Sequence, residues 1–234
     1  MTRRDSNAGT GTLPRAQAGG EAADVSDREA ADVSDGEPGE ASPTAWRTRT
    51  AVEMAISGVV GLFASFVLSI EAWHLAQDSS RTFACDINSV LSCSTVAQTP
   101  QARVLGFPNA FLGILFESVV LAVSVAILAG VRFPRWYMWG VQTLYTVGLG
   151  FALWLFLQSY FVIRVLCPWC LLVTLTTTLV WAGLTRLNIR DGVLPAPAWA
   201  RRLVASGTDW FLTGLVLVVI LGAVALRYLP TLIG

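Results

Sequence analysis

Apolar and polar positions sort this chain into a polar leader followed by five long apolar stretches, near 51–75, 109–130, 136–160, 167–187 and 209–228. Each is close to the ~20 residues that a helix needs to cross the hydrocarbon core of a bilayer. The pattern therefore predicts an all-α integral membrane protein with five crossings. The third and fourth stretches almost run together, but residues 136–187 are too many for one crossing, and Arg164 with Pro168 marks the break. Proline suits the first turn of a helix, so Pro168 reads as a start signal. Ahead of the first crossing, residues 1–48 are rich in Ala, Asp, Glu, Gly, Ser and Pro and carry the direct repeat EAADVSD at 21–27 and 29–35. That composition predicts a disordered acidic tail. It lacks the basic start followed by an early apolar core that a secretory signal needs, so it is expected to be retained and uncleaved. Residues 191–208 read as a linker, and 209–234 as the fifth helix with a short end.

Composition supports the membrane class: 54% of residues are hydrophobic and only 14% charged, far from an ordinary soluble domain. Net charge is zero, which gives no electrostatic reason to expect a nucleic-acid partner. With five crossings, the loops after the first and third helices share one side. Arg47, Arg49, Arg132, Arg135, Arg186, Arg190, Arg201 and Arg202 flank the other side, against Arg81, Arg103, Arg164 and Arg227 on the first. Arginine concentrates on cytoplasmic flanks, so the tail is expected in the cytoplasm and the two loops outside the cell membrane.

Those two loops hold all four cysteines, Cys85, Cys93, Cys167 and Cys170. An even number with none scattered through the apolar stretches suggests two pairs, in a compartment where disulfides persist. In Cys167-Pro168-Trp169-Cys170 the sulfurs are three residues apart, on one face of a first helical turn, and can close a small disulfide. Unpaired N–H groups and the helix dipole favour a thiolate there, so a lowered thiol pKa is expected. Cys85 and Cys93 lie in the longest connection, 76–108, where Asn88–Thr99 has the length of a short interfacial helix opened by Asn88 or Ser89 and stopped by Pro100. A mobile loop can exchange its disulfide in turn with a soluble partner and with the membrane pair. Electrons would enter at the loop and leave at the membrane pair, with an oxidant dissolved in the bilayer as acceptor. Four cysteines could instead bind zinc, but zinc sites usually use two short-spaced pairs in a compact loop domain, so no metal is expected. Structural disulfides are the plainer account of the loop pair alone; they suit CPWC poorly, because so small a ring removes little chain entropy.

Taken together, CDINSVLSCS, then NAFLG at 109–113, then CPWC at the start of the fourth helix resemble the bacterial homologues of vitamin K epoxide reductase. The resemblance spans about residues 50–190. It implies a four-helix catalytic bundle around a quinone over residues 49–190, with the fifth helix outside it. By the same resemblance Cys170 faces the quinone, Cys167 exchanges with Cys93, and Cys85 takes electrons from a partner. Asn109 matches an asparagine that hydrogen-bonds a quinone carbonyl, and Asp86 an acid after the first loop cysteine. Phe111 and Trp169 are expected to flank the quinone. Thr174 stands where vitamin-K-type enzymes have tyrosine, which counts against epoxide reduction. The expected activity is that of a thiol oxidase using menaquinone or ubiquinone. Its expected partner is a separate thioredoxin-like extracytoplasmic protein, because the chain stops at Gly234 without the fused thioredoxin-like domain of many members. The four-helix disulfide-forming oxidases of bacteria carry their two pairs in the opposite order. A membrane scaffold or transporter with structural disulfides is the alternative from another class, although no inverted repeat or paired broken helices point to transport.

Glu117 lies about two turns into the second crossing on the Asn109 side, and an acid within a membrane is a functional candidate or a hydrogen-bonded structural group. His74, the sole histidine, sits beside Glu71 at the end of the first crossing, as a proton shuttle or a plain interfacial residue. Thr99 is expected either to cap the loop helix or to hydrogen-bond near the sulfurs.

Overall fold

A computed structural model describes residues 43–233 of the chain, and its side chains over 45–228. The EAADVSD repeat and most of the expected tail lie outside the described residues. Seven α-helices follow: α1 Pro43–Gln77, α2 Cys93–Ala97, α3 Ala110–Leu128, α4 Arg135–Leu157, α5 Pro168–Arg190, α6 Ala198–Ala205 and α7 Thr208–Ile233. Five of them, α1, α3, α4, α5 and α7, are long and apolar enough to cross a membrane. They coincide with the five predicted stretches.

The first helix begins earlier than its apolar stretch and takes in residues 43–48, assigned above to the tail. Side-chain contacts with the far end of α5 explain the extension. The Arg190 guanidinium lies over the Trp46 ring at 4.9 Å, and Arg47 pairs with Asp191. The predicted break between the third and fourth crossings is present. A π-helical turn, Gln158–Ile163, ends α4, Arg164 takes the left-handed conformation (φ 60°), and Pro168 opens α5.

Lipid tails are as apolar as leucine, so helices in a bilayer associate through close packing and interhelical hydrogen bonds. α1 is central and packs along both α3 and α5, and α5 packs in turn on α4. The buried centre includes Met54, Val120, Tyr145, Val180 and Leu184. Asn188 Nδ2 donates to Gln142 Oε1 at 2.9 Å, and Gln142 Nε2 donates to Thr185 Oγ1 at 3.0 Å, tying α4 to α5. α3 and α4 touch over only a short stretch, where the Tyr145 hydroxyl donates to the Phe116 carbonyl at 2.7 Å. Toward the cysteines, residues of both helices line a cavity. α7 lies outside the four-helix arrangement against α5 and α6, joined by the Arg186–Asp209 pair at 3.2 Å.

Two connections differ from expectation. The segment Asn88–Thr99 is not one helix of three turns: only Cys93–Ala97 is α-helical, followed by a 3₁₀ turn at Pro100–Arg103. Asn88 turns its side chain onto the backbone N–H groups of Val90 and Leu91, and Leu91 forms a parallel bridge with Leu166. Local side-chain hydrogen bonding and a tertiary bridge thus hold extended a stretch with the length for a helix. The expected linker contains α6, which carries Arg201 and Arg202 on an exposed face and buries Val204.

Candidate redox site

Backbone pairing brings the two cysteine loops together. Ser92 N–H donates to the Leu166 carbonyl at 3.0 Å and Leu166 N–H to the Val90 carbonyl at 2.9 Å, so the residue before Cys93 is pinned to the residue before Cys167. Ser92 is also the N-cap of α2, its hydroxyl accepting from Thr95 N–H at 3.2 Å. Cys93 therefore stands in the first turn of one helix, facing Cys167, the N-cap of another.

The sulfurs stand in file. Cys85 and Cys93 form a disulfide. Cys167 Sγ lies 3.4 Å from Cys93 Sγ, and Cys167 and Cys170 are free thiols. Cys85, Cys93 and Cys167 are buried and Cys170 is partly exposed. Cys170 N–H donates to Cys167 Sγ at 3.3 Å, the helix N-terminal contact expected from the CPWC spacing. Its own effect on the thiol's pKa is downward, but it does not prevail. Hydrogen bonding with the Cys170 side chain, and then burial, push the Cys167 thiol well above its ordinary value and override the backbone donor. Loss of water outweighs one helix-end N–H.

Asp86 organises the loop. Its carboxylate accepts from the Phe83 N–H at 2.8 Å, the Ser94 N–H at 3.0 Å and the Ser92 hydroxyl at 2.7 Å. Partial burial pushes its pKa up, but the hydrogen bonds outweigh this and hold it at about 2. An acid held below its open-chain value of about 3.9 favours the folded loop above that pH, and the benefit is lost as pH falls through the interval down to about 2. Asp86→Asn is expected to remove this support at neutral pH as well, weakening the loop by about 1–2 kcal/mol. Faster reduction of the Cys85–Cys93 bond by a small dithiol measures the effect, and an unchanged rate would contradict it.

Glu71 Oε1 lies 3.4 Å from Cys85 Sγ, and among the described residues nothing hydrogen-bonds its other oxygen. This neighbour was not anticipated; the available signal was an acid two turns from the end of a membrane helix that leads directly into a cysteine loop. His74 does not join the sulfurs. Its Nδ1 faces Arg81 at 3.4 Å.

A cavity of about 160 Å³ lies between α1, α3, α4 and α5. Its wall is mostly apolar and includes Cys93, Cys167 and Cys170 near Asn109, with Glu117, Thr174 and Thr177 also in the lining. Asn109 Nδ2 donates one N–H to the Gln101 carbonyl at 2.7 Å, and its Oδ1 accepts from Val104 N–H at 3.3 Å. The amide is held fixed with its second N–H uncommitted among the described residues. The Thr174 hydroxyl is turned back onto the Cys170 carbonyl at 3.0 Å. The Thr99 hydroxyl donates to the Val96 carbonyl at 2.7 Å, at the end of the loop helix, and Thr99 also lines the cavity.

The two aromatic expectations are corrected. Phe111 is 43% exposed, outside the cavity wall, and packs near Phe107. Helical rotation explains this: Asn109, Leu112, Gly113, Phe116 and Glu117 share the inward face, and position 111 points away from it. Trp169 is likewise absent from the wall. It lies edge-on to Phe63 at 5.8 Å and packs, partly buried, against the cysteine cluster. The aromatic rings that do line the cavity are Phe116, Phe151 and Phe156.

A volume near 160 Å³ suits one small ring, since a cavity of about 150 Å³ holds benzene. The fixed amide, the free thiol of Cys170 and the apolar wall fit a quinone headgroup. In comparison with known proteins, residues 52–184 match the sequence model of the Vitamin K epoxide reductase family. No curated protein matches the chain.

Proposed function

Since the chain belongs to the vitamin K epoxide reductase family, whose members are membrane oxidoreductases acting on disulfide chemistry, we propose that it is a quinone-dependent thiol oxidase. It reoxidises a separate thioredoxin-like protein and so drives disulfide formation. The observation that carries this reading is the file of sulfurs, a disulfide 3.4 Å from a buried thiol whose CPWC partner lines an apolar cavity. The arginine asymmetry supports placing the cysteines on the extracytoplasmic side and the N-terminus in the cytoplasm.

In the first exchange a partner thiolate attacks Cys85, forming a mixed disulfide and releasing Cys93. The partner's second thiol resolves it and releases Cys85, whose sulfur takes a proton from the neighbouring Glu71 carboxyl. Cys93 then attacks Cys167 of the oxidised membrane pair and frees Cys170. Cys85, giving its proton back to Glu71, displaces Cys167 from Cys93. The loop disulfide is restored, and Cys167 and Cys170 take up from solvent the two protons that the partner's thiols gave to it, leaving the membrane pair as two thiols, the arrangement seen here. Burial keeps Cys167 protonated until Cys93 or Cys170 engages it, which limits stray exchange. A bound quinone accepts two electrons and two protons as Cys167 and Cys170 close their disulfide again. Because the Thr174 hydroxyl is committed to its own helix, the cavity lacks the tyrosine on which the resemblance rests epoxide chemistry.

The test is to prereduce the purified protein, mix it anaerobically with a soluble quinone analogue, and follow quinol by absorbance and free thiols by mass spectrometry. Stoichiometric quinol with loss of the Cys167 and Cys170 thiols is expected. Inert thiols and no quinol would leave a scaffold with structural disulfides.

A further inference from the structure

Two buried polar groups meet at the α1–α3 contact beside the cavity. Glu117 of α3 and Ser65 of α1 are each about 1% exposed, and both line the cavity. Glu117 Oε2 and Ser65 Oγ have no hydrogen-bond partner among the described residues. Their placement depends on two glycines on facing helices. A Cβ on Gly61 would come within 2.5 Å of Glu117 Oε1, and one on Gly113 would collide with Ser65 Oγ. Each helix thus leaves a notch into which the other sets a polar side chain.

Leaving such atoms unpaired in a dry interior is costly, and each needs a partner of the right chemistry. Among the described residues no Arg lines the cavity, and the chain has no Lys, so a carboxylate there would lack a counter-charge and the carboxyl is carried most cheaply as the neutral acid. Its neighbours are the Thr177 hydroxyl, the Gly61 backbone notch and Tyr145, whose own proton is given to the Phe116 carbonyl. A protonated carboxyl offers one strong O–H donor.

Spacing selects the partner. Asn109 and Glu117 are eight residues apart on one helical face, a rise of about 12 Å. The two oxygens of a para-quinone, with a hydrogen bond at each end, span about 11 Å. We propose that Glu117 is a catalytic residue of the quinone site: its carboxyl donates a hydrogen bond to the carbonyl away from Asn109 and supplies one of the two protons of reduction. This rests on the quinone-oxidase reading above. The step balances: Cys167 and Cys170 lose two electrons and two protons as their S–S bond forms, the two quinone oxygens take up two electrons and two protons, and Glu117 is reprotonated by a proton from the thiols.

The test uses fully oxidised protein, which binds but cannot reduce, with a benzoquinone carrying a short alkyl tail. Infrared difference spectra are expected to show the carbonyl stretch of a buried carboxylic acid moving on binding, and this signal is expected to be absent from Glu117→Gln. In a separate single-turnover measurement on reduced protein, Glu117→Gln is expected to slow quinol formation on the order of 10²-fold. Exchange between the loop and membrane pairs should be unaffected. Glu117→Asp, which keeps the acid, should recover part of the rate and show a displaced band. A carboxyl band that does not respond to the quinone in the wild type, or a wild-type rate in Glu117→Gln, overturns the proposal. Should that variant not fold, the wild-type and Glu117→Asp spectra decide it. A wild type that neither binds nor reduces the quinone overturns the oxidase reading itself.

Discussion

Alanine at position 170 is expected to abolish quinol formation, by on the order of 10³-fold or more, and to leave a Cys93–Cys167 bond in its place. Cys170 is the membrane-pair sulfur with partial exposure and also lines the cavity. Without it Cys167 cannot close its disulfide, so no route exists for two electrons to leave together. Cys167 still faces Cys93 at 3.4 Å, and its thiolate attacks the loop disulfide there, releasing Cys85 and passing its proton to the Glu71–Cys85 pair. With Cys170 gone, the mixed bond has no resolving thiol on the membrane side. Peptide mapping of the variant under non-reducing conditions should find residues 93 and 167 joined. Cys167→Ala should also stop quinol formation but can form no such bond. If Cys170→Ala retained quinol formation, or accumulated the bond no more than the wild type, the assignment of the terminal sulfur would fail.

Cys93→Ala is expected to separate the two halves of the reaction. Cys93 joins both pairs, bonded to Cys85 on one side and touching Cys167 on the other. Its loss leaves Cys85 a lone thiol and removes the route from a thioredoxin-like partner, so partner oxidation should fall to the background of the quinone alone. The membrane pair keeps both sulfurs and the cavity, and a small dithiol that reaches Cys170 should still be oxidised with quinol formation. Measuring quinol with a protein dithiol and with a small one distinguishes the cases. Equal, partial losses with both donors, in this variant and in Cys170→Ala, would contradict an ordered relay.

Much of this arrangement was legible in the chain. Five runs of suitable length, an arginine and a proline dividing the third from the fourth, and two cysteine pairs on one side of the crossings were enough to anticipate the helices and to bring the sulfurs together. The i, i+8 relation of Asn109 and Glu117 placed both on one face of α3, and both line the cavity. Phe111 was misplaced because nearness in sequence to Asn109 was given more weight than helical rotation, which turns the next-but-one residue away. Trp169 stands on the first turn of α5, where only contact with Phe63 reveals which side it takes. Position 88 was misread for another reason: an asparagine that caps a helix and one that folds onto its own turn look identical in sequence, and the bridge from Leu91 to Leu166, 75 residues later, selects the second. The raised thiol of Cys167 rests on hydrogen bonding with the Cys170 side chain and then on burial, which together override a favourable helix end.

The cavity wall shared by α3 and α4 bears on how such an enzyme would meet its oxidant. An entry between two membrane helices would face the acyl chains, so a quinone arriving that way would diffuse in two dimensions and never dissolve in water. Supply is then governed by mole fraction in the lipid phase. Adding detergent at constant total quinone dilutes the substrate without altering its nominal molarity, so an apparent KM measured in micelles should scale with micelle volume. The isoprenoid tail would remain among the lipids throughout, leaving its length to affect lateral diffusion far more than recognition.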